Sequence, residues 1–164
     1  MSGELRSKIN LGDPQQIGVV VKDARRTADM LSGLLGIGSW RFVEWPSDRP
    51  DMMSFYNGGN GNFRLLEAFA RLGNIEIELI EPIEGECGYT EYLKEHGEGL
   101  HHIMFEVDDL DNTVSAFNQM GIGAVFGGTG NRPGTRWLHL NTVPLLGWSI
   151  ELRNRLPAEP GQAT

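Results

Sequence analysis

Hydrophobic and polar positions follow two alternating periods along this chain. Gln16-Ile17-Gly18-Val19-Val20-Val21 is short, β-branched and apolar, which predicts a strand. Asp23 then stands where a helix N-cap belongs, and Ala24, Ala28, Leu31, Leu34 and Leu35 recur at helical spacing before Gly36 stops the run. The same succession returns from His102: a strand to Val107, a cap at Asp109, an apolar face of Leu110, Val114, Phe117 and Met120, and a stop at Gly121. An offset of 86 lays Gln16 on His102, Val21 on Val107, Asp23 on Asp109, Ala28 on Val114 and Leu31 on Phe117. Gly36-Ile37-Gly38 matches Gly121-Ile122-Gly123 after a slip of one residue.

Each strand–helix start is followed by three more strand candidates. They are 40–45, 63–72 and 75–81 in the first half, then 123–126, 135–141 and 148–153 in the second. Each half therefore reads β-α-β-β-β, with module one over 13–86 and module two over 98–155 of a single domain spanning 10–156. A polar stretch from Tyr89 to His96 predicts a short linking helix closed by Gly97. Between Pro46 and Asn62 lies a loop rich in Pro, Gly and Asn without periodicity, the kind of segment that serves as a lid.

Strand alternation sorts the faces. Ile17, Val19 and Val21 take the helix side, and Gln16, Gly18 and Val20 the other; in the repeat His102, Met104 and Glu106 share that second side. Gln16 and His102 therefore open equivalent strands on equivalent faces. The last strand of each half carries acids among apolar residues: Glu76, Glu78 and Glu81, read onto one face, and Glu151. Glutamate is a poor strand residue. If this face lines a cavity, the carboxylates need partners, because an unpaired buried charge is expensive, and a metal ion would serve several at once. A solvated face of an antiparallel sheet is the other reading of Glu76, Glu78 and Glu81, and a hydrogen-bonded core histidine that of His102.

The net charge of −8 argues against nucleic acid as a partner, since no basic stripe is available. The single cysteine, Cys87, excludes an internal disulfide and fits a cytoplasmic setting. Met1 to Lys8 is polar and lacks the apolar core of a signal peptide, no apolar run reaches the length of a membrane span, and 157–164 read as a loose tail. Sheet edges in such paired modules suggest a homodimer.

The stretch from Gly97 to Asp109, with its His101-His102 pair, closely resembles methylmalonyl-CoA epimerases, as do Leu72 to Pro82 and Ile17 to Asp23. These belong to the vicinal oxygen chelate superfamily, which also holds glyoxalase I, extradiol dioxygenases and antibiotic-resistance proteins. The resemblance runs from about Gln15 to Arg153. It implies an α+β fold in which two βαβββ modules form a U-shaped mixed sheet around a metal cavity. It also implies the ligands residue by residue: Gln16 on the first strand, Glu78 four residues before Pro82, His102 as the second histidine of the pair, and Glu151 on the last strand. Epimerases of this type usually carry histidine where this chain has Gln16, whereas some glyoxalase I enzymes resemble it with Gln, Glu, His and Glu. Three oxygen donors and one imidazole suit a divalent Zn, Ni, Co or Mn ion and disfavour a ring-cleaving iron dioxygenase.

By the same resemblance the chemistry is removal of a proton next to a metal-chelated carbonyl, with Glu67 as the base and Glu151 as its alternative. That chemistry would make the chain an isomerase, epimerase or lyase acting on a small molecule. A glyoxalase I-type lactoylglutathione lyase and a metal-free binding or resistance protein are the other outcomes. Arg64 and Trp137 are the candidate substrate contacts. Arg41, Arg49, Arg132 and Arg136 are further cations that could stand at the mouth.

Overall fold

A computed structural model describes residues 9–157. The readings made of 1–8, and of the tail beyond Pro157, lie outside the described residues. Module one comprises strand β1 (Gln16–Val20), helix α1 (Ala24–Leu35) and strands β2 (Arg41–Trp45), β3 (Ser54–Tyr56), β4 (Gly59–Asn60), β5 (Arg64–Leu72) and β6 (Ile75–Glu84). Helix α2 (Gly88–His96) links it to module two: β7 (Gly99–Val107), α3 (Leu110–Gln119), β8 (Ala124–Thr129), β9 (Arg136–Leu140), a short helix α4 (Val143–Leu146) and β10 (Ser149–Asn154). No helix among the described residues is long and apolar enough to cross a membrane.

All ten strands join one mixed sheet in the order β2-β5-β6-β1-β7-β10-β9-β8-β3-β4. The eight strands from β2 to β8 in this order are symmetric about the antiparallel β1/β7 pair. On each side of that pair the first strand of a module lies parallel to its last, β1 to β6 and β7 to β10, because the intervening helix returns the chain to the same end. The register repeats with the fold. Gln16 stands beside Glu76 as His102 stands beside Ser149, so Glu78 and Glu151 occupy equivalent places two residues further on.

Local chemistry explains both helices. The Asp23 side chain accepts the Arg26 amide, that of Asp109 accepts the Asn112 amide, and Gly36 closes α1 at φ 68°. One core packs α1 on Ala68, Ala70, Ile77 and Leu79, and another packs α3 on Leu140 and Leu152. A third core fills one end of the U with Val20, Trp45, Phe63, Tyr89, Phe126 and Trp137. Trp45 stacks on Phe63 at 4.8 Å, and its indole N–H donates to the Thr129 carbonyl at 2.9 Å, tying the outer strand of module one to module two.

Two expectations need correction, and one irregularity adds to them. The 46–62 segment is not a free lid: it contains the hairpin β3–β4, and β3 pairs antiparallel with β8, Ser54 opposite Gly128. Asn57 and Gly58, both at positive φ, form its two-residue turn, so the Asn-Gly pair was a hairpin signal inside an otherwise aperiodic loop. Glu81 does not share the face of Glu76 and Glu78, since an odd offset reverses the side chain; it accepts the backbone N–H of Ala24 at the start of α1 instead. The irregularity concerns His101. Simple alternation sends it to the face opposite His102, but the β1/β7 register skips it, with Val19 opposite Leu100 and Gly18 opposite His102. This bulge turns both histidines inward, at 3% and 0% exposure.

Candidate metal and substrate site

Gln16, Glu67, Glu78, His102 and Glu151 are buried polar residues; all but His102 line one cavity between the arms of the U, and His102 is buried against Glu78 and Glu151. The centre of the group is His102. Its Nε2 lies 2.9 Å from Glu151 Oε2, 3.2 Å from Glu78 Oε2 and 3.5 Å from Gln16 Oε1. The structure thus brings together the four residues read as ligands, two from each module. Room for the imidazole comes from Gly18 directly across the ladder, where any Cβ would overlap the ring.

The cavity holds about 420 Å³ and is lined by the carboxylates together with Arg41, Phe69, Asn131, Arg132, Trp137 and Arg153. Trp137 is therefore at the site. Arg64 is not: it is exposed and pairs with Glu44 and Glu84 on the strands flanking β5. Arg49 and Arg136 are committed elsewhere. The first binds Asp51 and donates to the Gly130 and Asn131 carbonyls, and the second binds Asp111. Arg153, which sequence reasoning passed over, lines the cavity and is paired with Glu106 at 2.7 Å.

His139 is the other residue that was missed. It lies opposite Glu151 in the β9/β10 ladder, with its Nε2 3.3 Å from Glu151 Oε2. The Ser149 hydroxyl donates to the Leu140 carbonyl at 3.1 Å, so its oxygen accepts from His139 Nδ1–H at 3.2 Å. That leaves Nε2 to accept the Tyr89 hydroxyl at 2.9 Å. Burial, with the charge of His102 nearby, holds both His139 and His101 well below the usual imidazole range. A neutral His101 can accept from His102 Nδ1–H, 3.2 Å from its own Nδ1, which turns His102 Nε2 toward the carboxylates. Two apolar neighbours per histidine and a two-residue step from Trp137 were the only sequence signs of His139.

The electrostatics favour an added positive charge. Burial pushes Glu67 well above the ordinary carboxylate range, and Glu78 adds to the effect; Glu78 itself is raised by burial and lowered by His102. Burial would depress His102, yet Glu151 and Glu78 outweigh it and bring its pKa to about 9. A proton thus sits among two buried carboxylates and an amide oxygen. Glu78, His102 and Glu151 each offer a ligand atom within 4.8 Å of the others, which fits a divalent cation with mixed oxygen and nitrogen donors. Glu67 stands apart from this group and accepts Asn131 Nδ2–H at 2.7 Å. The Asn131 loop is pinned by Arg49 and by a backbone bond from Gly130 to the Thr135 carbonyl.

Residues 15–137 match the family described as the Glyoxalase/Bleomycin resistance protein/Dioxygenase superfamily. The chain belongs to that superfamily. Gln16, Glu67, Glu78 and His102 fall inside the matched segment, and His139 and Glu151 beyond it. Among solved superfamily-like folds, a methylmalonyl-CoA epimerase in complex with methylmalonyl-CoA and NH4+ superposes with a TM-score of 0.68 at 20% identity, covering 92% of this chain and 99% of that one. Methylmalonyl-CoA epimerase from Mycobacterium tuberculosis gives 0.63 at 19% identity, covering 88% of each chain. A hypothetical protein from Bacillus halodurans C-125 gives 0.65 at 20% identity, covering 91% and 98%. At such identities the likeness establishes the fold. The uncharacterized protein YqjC of Bacillus subtilis (strain 168) is 35% identical over 51 residues, which span 31% of this chain and 36% of that relative.

Proposed function

We propose that this chain is a metal-dependent isomerase or epimerase that removes a proton from the carbon next to a chelated carbonyl. The observation that carries this reading is the convergence of Gln16, Glu78 and Glu151 on the buried His102, beside a cavity that also holds a further buried carboxylate, Glu67. Those four residues would hold a divalent Zn, Ni, Co or Mn ion, whose chemistry when bound is Lewis-acid polarisation of a substrate oxygen.

The chain's own residues supply the rest. Glu67 takes the proton at a carboxylate oxygen; its raised pKa suits a base that must work near neutral pH. Asn131 holds that carboxylate by its Nδ2–H, which fixes the reach of the base. Arg41 and Arg132 line the same cavity and would favour a substrate with an anionic group, and Trp137 gives it an apolar wall. Glu151, from the opposite module, would be the alternative base. A methylmalonyl-CoA epimerase-like substrate, a small acyl thioester, fits this arrangement. The Gln, Glu, His, Glu set favours a glyoxalase I-type hemithioacetal as the second candidate.

The deciding experiment uses tag-free protein. Elemental mass spectrometry should find near one divalent ion per chain, lost in a His102→Ala, Glu151→Ala double variant. The wild type should then exchange the α-proton of an acyl-CoA or a hemithioacetal with solvent deuterium. Protein that neither carries nor acquires a metal would leave a metal-free binding protein as the better account.

A further inference from the structure

Gln16 is the one candidate ligand whose side chain has two unlike ends, and the structure shows what tells them apart. Its Nε2–H donates to Glu76 Oε1 at 2.8 Å, while its Oε1 lies 3.5 Å from His102 Nε2. Glu76 is its direct partner in the parallel β1/β6 ladder and also lines the cavity. An ionised carboxylate only accepts hydrogen bonds. The flipped amide would set its oxygen against Glu76 and aim an NH2 group at the carboxylate cluster, where it could not ligate. Across the axis, the place equivalent to Glu76 is Ser149, whose hydroxyl turns to the Leu140 carbonyl and to His139. A charged acceptor therefore stands only on the side where the ligand is an amide.

We propose that Glu76 is a positioning residue that commits Gln16 to a bound divalent ion as an oxygen donor, and so tilts the site toward oxygen-preferring ions such as Mn2+. This rests on the metal-binding reading of the cavity. The effect runs through orientation. A carboxylate that accepts from Nε2–H polarises the amide and makes Oε1 the richer donor, and outer partners of this kind commonly change metal affinity by about tenfold to a hundredfold. Oxygen donors matter most for the harder ions, so a misoriented Gln16 should cost Mn2+ more than Zn2+.

The test is a double-mutant cycle read by calorimetric titration of metal-free protein with Mn2+ and with Zn2+, using wild type, Glu76→Ala, Gln16→Ala and the double variant. Glu76→Ala should weaken Mn2+ by about tenfold or more, with a smaller loss for Zn2+, and should add less than about twofold once Gln16 is already alanine. The Co2+ absorption spectrum of Glu76→Ala should resemble that of Gln16→Ala, a change that a loss of general stability would not produce. Glu76→Gln still offers an oxygen but no longer forbids the flipped amide; it should lose several-fold, and it carries the test should Glu76→Ala not fold. Wild-type affinity in these Glu76 variants overturns the proposal, as does an equal loss with and without the Gln16 side chain, which would mean that Glu76 acts through its charge alone. Wild-type protein that binds neither ion overturns this inference together with the metal reading beneath it.

Discussion

Gly18 and His102 face each other across the β1/β7 ladder, and the imidazole occupies the space that a side chain on Gly18 would need. The requirement is steric and not conformational, because Gly18 lies in a regular strand without positive φ. Gly18→Ala should push the ring away from Glu78 and Glu151, cost about 1–3 kcal/mol as an overpacked core does, and abolish tight metal binding. Urea denaturation and metal titration on the same sample check both halves. An alanine variant that binds metal as the wild type does would show that the ring has another place to go.

Glu67→Gln should separate binding from chemistry. Glu67 is bonded to Asn131 and is not one of the carboxylates paired with His102, so metal content should be unchanged while proton exchange falls at least about a hundredfold. Burial already disfavours the charged form of Glu67, so a neutral glutamine should leave the metal-free variant melting no lower than wild type. Exchange at the wild-type rate would transfer the role of base to Glu151.

The pH dependence of stability should change when metal is added. Without metal, the folded state keeps protons on Glu67 and Glu78 that the unfolded chain releases, so their contribution to stability declines as pH rises above the ordinary carboxylate range. His102 acts in the same direction: its contribution is complete below 6.5 and is lost as pH climbs through about 9. A bound cation replaces those protons, and fewer compete with it at high pH. The rise in melting temperature on adding metal should therefore be larger at about pH 8.5 than at about pH 6. Differential scanning fluorimetry with and without chelator measures it, and a larger rise at the lower pH would contradict the assignment.

The arginines should divide into two groups. Arg64→Ala removes a pair of exposed salt bridges, so stability should move by less than about 0.5 kcal/mol and turnover should not change. Arg132→Ala changes the cavity wall and should raise KM for an anionic substrate with little effect on kcat. Steady-state kinetics on the two variants distinguish these expectations. A KM effect at Arg64 would mean that substrate reaches further along β5 than the cavity does.

Much of this arrangement was legible in the chain because both its periods are strong. The offset that lays Gln16 on His102 appears in space as two residues 3.5 Å apart at the β1/β7 axis, each delivered by the same strand register. Glu78 and Glu151 stood out as acids in apolar strands, and the resemblance gave them as ligands. What escaped was everything that depends on irregularity or on distance along the chain. The bulge at His101 breaks alternation without changing composition. His139 looks like any residue of an apolar strand until the β9/β10 ladder sets it opposite Glu151. Arg64 was read as a substrate contact because it is a cation, but a strand position carries no information about partners such as Glu44 and Glu84 on neighbouring strands. The β3–β4 hairpin is too short to show periodicity, although Asn57-Gly58 marks its turn.

That hairpin also bears on how separable the two halves are. If each module were excised and allowed to pair with a copy of itself, the first would form a centre with two Gln16 and two Glu78, and the second a centre with two His102 and two Glu151. The two would not be equally viable. Module two leaves the β8 edge bare once the hairpin of module one is gone, and an unpaired edge of that kind invites association with further chains. The repeat is thus symmetric in its ligands and asymmetric in its dependence: the first half carries the hairpin that covers the β8 edge of the second.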